Sequence, residues 1–352
     1  MEDTRKRSSD ECSPVSNVAK YQRLSSFEFG DLPNEIILQI LKKLDIKDLL
    51  HCGMVSKRIR IITRNESLWE KINLYGNNVP LEFLQLVLDL GCKYLSLHDV
   101  GLKGDISEFQ LRKPSKLRCL DLHYCLNNTT IIEEILASCM ALEKLDLNYV
   151  PMTPNMIESI CMQNSQTLEV LILSARDKMS MSGVYKILGK CANLRELSLL
   201  CHVPSRDTAI FLANNLHLNI EKLDLYINDL DEPCVKLITN LVSKCQNLNS
   251  LRLNEYTIKD ETITAIIKHL NQTLEELELN SRATFEKLLE LRSIPNLKVF
   301  NCYQCYLCYS EFKKEEVKTL TNNLPHLIRP INEQEIEFAD TFFSQNQGQV
   351  WF

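Results

Sequence analysis

Three thiols stand at three-residue spacing in Cys302-Tyr-Gln-Cys305-Tyr-Leu-Cys308, the one cluster in this 352-residue chain with the ligand types of a zinc or iron–sulfur centre. A closed zinc site needs four ligands. No fourth cysteine follows, and only His326 is near in sequence. The segment also coincides with a strand and turn of a repeating pattern in which other cysteines recur in register: Cys139, Cys191 and Cys245 each precede a leading leucine by three residues. That recurrence favours small buried hydrophobes over ligands or disulfides. The seven histidines are scattered, and nine glycines build no phosphate-cradling loop. The expectation is therefore no metal, no cofactor and no catalytic site.

What must be positioned is instead a surface, and the element that positions it is repeated. Leu142-Glu-Lys-Leu145-Asp-Leu147 is one copy of an L-x-x-L-x-L phrase. It recurs with leading residues Leu117, Leu168, Leu194, Ile220, Leu248 and Leu274, with weaker copies at Cys92, Leu297 and Leu324, and Trp69-Glu-Lys-Ile72-Asn-Leu74 fits the same frame. A period of about 20–29 residues with this spelling marks leucine-rich repeats. Helical segments such as 231–242, with Asp231 as cap and Pro233 in the first turn, lie between the strands. Strands stack about 4.8 Å apart and helices about 10 Å apart, so such an array bends with its strands on the inside. The expected fold class is α/β, a horseshoe over residues 75–328 of about ten repeats.

Alternation turns the residues between the leucines to the concave side. They mix charge, amide and aromatic groups, which suits a protein or peptide ligand. The candidate substrate-binding residues are Lys222, Asp224, Tyr226, Arg252, Asn254, Glu278 and Tyr303, with Lys222 and Arg252 as phosphate partners for a phosphorylated ligand. Val170, Ile172 and Leu200 are apolar where solvent favours polar side chains, which marks a binding patch or the landing place of another segment.

Residues 27–74 read as three short helices. Pro33 suits a helix start, Ile36, Ile37, Ile40, Leu41 and Leu44 recur at helical spacing, and Asp45 caps a second helix carrying Leu49 and Leu50. A module this small cannot enclose all these aliphatics, so the surplus must pack on something else. Leu32-Pro33-x-Glu35-Ile36, the aliphatic series to Leu44, Asp48-Leu49-Leu50, Val55-Ser56-Lys57-Arg58 and Ser67-Leu68-Trp69 together resemble an F-box, followed as in F-box/leucine-rich-repeat proteins by the repeats. The resemblance implies docking to the small adaptor of an SCF-type cullin–RING ubiquitin ligase, and through it to cullin and RING subunits. The matching positions are Leu32, Pro33, Glu35, Ile36, Ile40, Leu44 and Leu49. It implies a substrate receptor that is not itself an enzyme. Ile59 departs from the pattern, standing where many members carry an aromatic. The alternative is a leucine-rich-repeat scaffold or inhibitor that binds a partner without ubiquitylation.

Residues 1–26, rich in serine and charge, read as a disordered tail. Residues 329–352 carry Phe338, Phe342, Phe343, Trp351 and Phe352, too many aromatics for a solvated tail, and are expected to fold back on the concave face. A net charge of −6 gives no general attraction to nucleic acid, and no apolar run is long enough to span a membrane. The beginning MEDTRKRSSDECSPVSN lacks a signal peptide's apolar core, so the expected location is nucleus and cytoplasm.

Overall fold

The computed structural model describes residues 29–303, except 77, 112–113, 127, 176–177, 202–210, 213, 217–218, 228–232 and 282, together with 322 and 324. The chain divides into two units, the first ending at Leu68 and the second beginning at Trp69.

Among the described residues of the first unit three α-helices follow one another: α1 (Asn34–Leu41), α2 (Ile46–Val55) and α3 (Lys57–Thr63). Pro33 stands immediately before α1. Asp45 caps α2 by accepting from Asp48 N at 2.8 Å, and Ser56 caps α3 by accepting from Ile59 N at 3.1 Å. Each cap satisfies a backbone donor that the first helical turn leaves without a partner. Arg58 ties α3 to the start of α1, donating from Nη2 to Leu32 O at 2.6 Å and to Asn34 Oδ1 at 2.7 Å. Ile59 is buried, so an aliphatic side chain fills the interior at the position that departs from the F-box resemblance.

Among the described residues, the second unit holds a ten-stranded, wholly parallel sheet in chain order. Its strands are β1 (Lys71–Asn73), β3 (Tyr94–Ser96), β5 (Cys119–Asp121), β6 (Lys144–Leu147), β7 (Val170–Ala175), β8 (Glu196–Cys201), β9 (Lys222–Ile227), β10 (Ser250–Ile258), β11 (Glu276–Ser281) and β12 (Val299–Tyr303). β2 (Asn78–Pro80) and β4 (Gly101–Lys103) form a separate parallel pair. The strands are the L-x-L positions of the repeats, and the sheet opens with the Trp69–Leu74 copy. A parallel sheet needs a crossover between neighbours. Here these include α4 (Leu81–Asp89), α5 (Thr129–Ser138), α6 (Pro154–Gln163), α7 (Lys178–Leu188), α8 (Pro233–Lys244), α9 (Asp260–Leu270) and α10 (Phe285–Leu289). Neighbouring helices pack on each other, α5 on α6, α6 on α7 and α8 on α9. The α/β repeat architecture is thus present. The expected cap Asp231 lies outside the described residues, whereas Thr153 does cap α6, with Pro154 as its first residue.

Register holds the leucines in unbroken rows. Leu120, Leu145, Leu171, Leu197, Leu223, Leu251 and Leu277 are successive partners, all buried. Cys139, Cys191 and Cys245 are buried in the same core, with burial raising the first two thiols to about 12 and the third to about 11. At these values they stay protonated and act as small hydrophobes. Buried Asn164 fastens repeats together: Oδ1 accepts from Leu142 N at 2.9 Å and Nδ2 donates to Cys139 O at 3.0 Å.

Candidate protein-binding surfaces

The first surface belongs to the helical unit. Two apolar stripes run along α1: Ile37 and Leu41, four residues apart, are buried, while Ile36 and Ile40, also four apart, are each 40% exposed. Their spacing puts each pair on its own face of the helix. Leu50, Met54, Val55 and Ile61 add exposed aliphatic and thioether groups from α2 and α3, Val55 at 79%. Of the seven sequence-assigned docking residues, Pro33, Glu35, Ile36 and Ile40 are exposed and Leu32 and Leu44 are intermediate. Leu49 is buried and serves the interior of the unit. The exposed apolar side chain at that point is Leu50, one residue and about 100° further round the helix.

The second surface is the sheet face opposite the leucines. Register sets Asp224, Arg252 and Glu278 side by side in one row, with Lys222 in the row before. Tyr226, Asn254 and Tyr303 fall in the row after, with Asn280 between the last two. The seven assigned residues thus belong to one neighbourhood by strand register. Arg252 Nε lies 3.0 Å from Glu278 Oε2, and Arg252 Nη1 lies 3.6 Å from Asp224 Oδ2. Ser198 Oγ donates to Asp224 Oδ2 at 3.2 Å, and Lys222 Nζ lies 3.2 Å from Glu196 Oε1. Burial raises the Asp224 and Glu278 carboxyls above the usual range against the opposing pull of Arg252. Both cations expected to meet a phosphate are therefore engaged by carboxylates of neighbouring repeats.

At the other end of the sheet a ladder of rings crosses four repeats. Tyr75 and His98 lie 4.8 Å apart, and His98 and His123 stack at 4.5 Å with a 4° tilt. His123 meets Tyr124 at 4.6 Å, and Tyr124 stacks on Tyr149 at 4.4 Å and 6°. Tyr124 and Tyr149 have left-handed backbones (φ 60° and 61°), as does Asp99 (φ 54°), each two residues after the last leucine of its repeat phrase. Non-glycine residues rarely adopt this conformation. In the adjacent row of the same sheet face stand Asp121 and Asp146, register partners on neighbouring strands. Asp121 Oδ2 accepts from Ser96 Oγ at 2.7 Å, and its carboxyl is raised by burial and by the charge of Asp146. Reading strand residues one at a time missed this cluster.

Exposed ion pairs also cross the repeats just ahead of the strands: Lys93–Glu70, Arg118–Glu143, Arg195–Glu221 and Lys298–Glu275. Such pairs contribute about 0–1 kcal/mol each. Among the described residues no group of three or more His, Cys, Asp or Glu is placed to hold a metal, and no helix is long and apolar enough to cross a membrane. Cys302 lies in β12, while Cys305 and Cys308 are outside the described residues.

Residues 29–75 match the F-box-like family model. The chain is similar to F-box/LRR-repeat protein 21 of sheep (Ovis aries), with 21% identity over 289 residues, covering 73% of this chain and 61% of that protein. The mouse (Mus musculus) protein of that name is 21% identical over 271 residues, covering 69% and 57%. The chain thus spans about six-tenths of the length of the curated relatives it matches. Among solved structures it is similar to the yeast Rad7 and Elc1 complex, at 16% identity and TM-score 0.47, covering 84% of this chain and 86% of that one. It is also similar to the leucine-rich repeat-containing protein LegL7 of Legionella pneumophila, at 18% identity and TM-score 0.43, covering 73% and 81%. The tail features that resemble the S-phase kinase-associated F-box receptor, namely Arg329-Pro330-Ile331 and Trp351, lie outside the described residues, as does the expected return of the tail.

Proposed function

We propose that this F-box/leucine-rich-repeat chain is the substrate-recognition subunit of an SCF-type cullin–RING ubiquitin ligase. The observation that carries the reading is the exposed stripe Ile36–Ile40 with Leu50, on a unit whose residues match the F-box-like model. Exposed apolar side chains gathered on one small unit indicate a partner that covers them. In the family the partner at this surface is the small ligase adaptor, which joins the receptor to cullin and RING subunits. The chain's own contribution is then positional. It holds a substrate protein on the sheet face so that a substrate lysine lies near the charged ubiquitin carrier, which raises effective concentration without chemistry on the receptor. The row Asp224–Arg252–Glu278, Lys222 before it and Tyr226, Asn254 and Tyr303 after it form the substrate-facing surface of this reading. The proposed place of work is nucleus and cytoplasm.

Capture of the adaptor from lysate by the tagged full chain, repeated with Leu32→Ala and Pro33→Ala together, tests this. Recovery should fall about tenfold or more, as when contacts in the core of an interface are truncated. Equal recovery by both proteins would instead favour a repeat scaffold acting without ubiquitylation.

A further inference from the structure

We infer that the ring ladder of the first repeats is a recognition site for an arginine side chain of the bound substrate. The inference rests on the receptor reading above and names the chemistry of the ligand.

The cluster offers acceptors and π faces. Asp146 Oδ1 accepts from Asn148 N at 2.7 Å, and Oδ2 lies 3.8 Å from His123 Nδ1. Asn148 is 7% exposed, and its Oδ1 is buried without a hydrogen-bond partner. A buried acceptor left unpaired costs about 1–3 kcal/mol, so a small shift of Asn148 that brings its Oδ1 to a ligand's donor would be favoured. Two neighbouring carboxylates add negative potential, and burial of Asp121 shows how poorly water screens it. Around this floor stand the exposed rings of Tyr75 and Tyr124. One planar group is complementary to all of these. A guanidinium carries five donors in a plane, stays charged, and stacks on aromatic faces. An ammonium would satisfy the charge but not the stacking, and a phosphate would meet repulsion from Asp121 and Asp146.

The probe is the capped peptide Gly-Ser-Gly-Ser-Arg-Gly-Ser-Gly-Ser, titrated into the full chain carrying ring-labelled tyrosine and histidine and followed by NMR. Two counterparts replace arginine by citrulline, which keeps the shape and loses the charge, or by phosphoserine. The arginine peptide should shift the His123 and Tyr124 ring signals saturably, and citrulline should weaken binding about tenfold or more. Asp146→Asn should weaken the arginine peptide similarly. Tyr124→Asn, a residue that tolerates the left-handed backbone, should weaken it with the melting temperature kept. If Asp146→Asn does not fold, Tyr124→Asn decides alone. Equal binding of arginine and citrulline peptides, no binding of either, tighter binding of the phosphoserine peptide, or full binding by the folded variants would overturn the inference. The same preparations are scored for adaptor capture. Lost arginine binding with adaptor capture intact refutes this site alone, and the converse refutes only the ligase reading.

Discussion

Arg252→Met will destabilise the repeat unit by about 2–3 kcal/mol at neutral pH, because it removes the cation between two poorly hydrated carboxylates. Full burial of a broken pair costs about 3–5 kcal/mol; the figure here is lower because Arg252 keeps 29% of its side-chain surface exposed, against 18% for Asp224 and 16% for Glu278. The effect depends on pH with a definite sign. Burial raises both carboxyls in the folded state, and Arg252 opposes the rise. A group whose folded value is raised contributes stability that is complete below the unfolded carboxylate range and is lost as pH rises through the folded value. Without Arg252 both folded values rise further, so the variant's deficit is large at neutral pH and shrinks as acid neutralises both groups. Urea denaturation of the parent and variant across that range measures this. A deficit that is constant or grows on acidification would contradict the proposed network.

Leu145→Ala will cost about 3 kcal/mol, within the usual span of about 2–5 kcal/mol for a core leucine. Leu145 is 1% exposed and sits between Leu120 and Leu171 in the leucine row. In a stacked array each repeat is stabilised mainly by its neighbours, so one truncation weakens the interfaces on both sides. Denaturant midpoints measured by circular dichroism give the value, and a loss below about 1 kcal/mol would mean that this row is not the common core.

How much of this was legible in sequence differs from element to element. The parallel sheet was, since its leucines recur at nearly constant separation and each copy can be read alone. Thr153-Pro154 and Asp45 were legible for the same reason: a cap is a local device that needs only its own turn. The roles of Leu49 and Leu50 were not, because both fit helical periodicity and only packing decides which one turns inward. The pairing of Arg252 with Asp224 and Glu278 was accessible in principle, since strand register follows the repeat. It appears only when residues are compared across strands instead of along one. The ring ladder depended on something spacing does not encode, the left-handed backbone at Tyr124 and Tyr149. The recurrence of Asp99, Tyr124 and Tyr149 at intervals of 25 was its one visible trace.

The most direct measurement is a calorimetric titration of purified adaptor into the full chain, with Ile36→Asp and Ile40→Asp introduced together as the comparison. Both side chains are substantially exposed, so the variant should keep the parent's melting temperature. Burying two new carboxylates under a partner should weaken binding by about a hundredfold or more. The prediction is a saturable one-to-one complex for the parent and its loss in the folded variant; equal affinity for both, or no heat of binding with the parent, would contradict it.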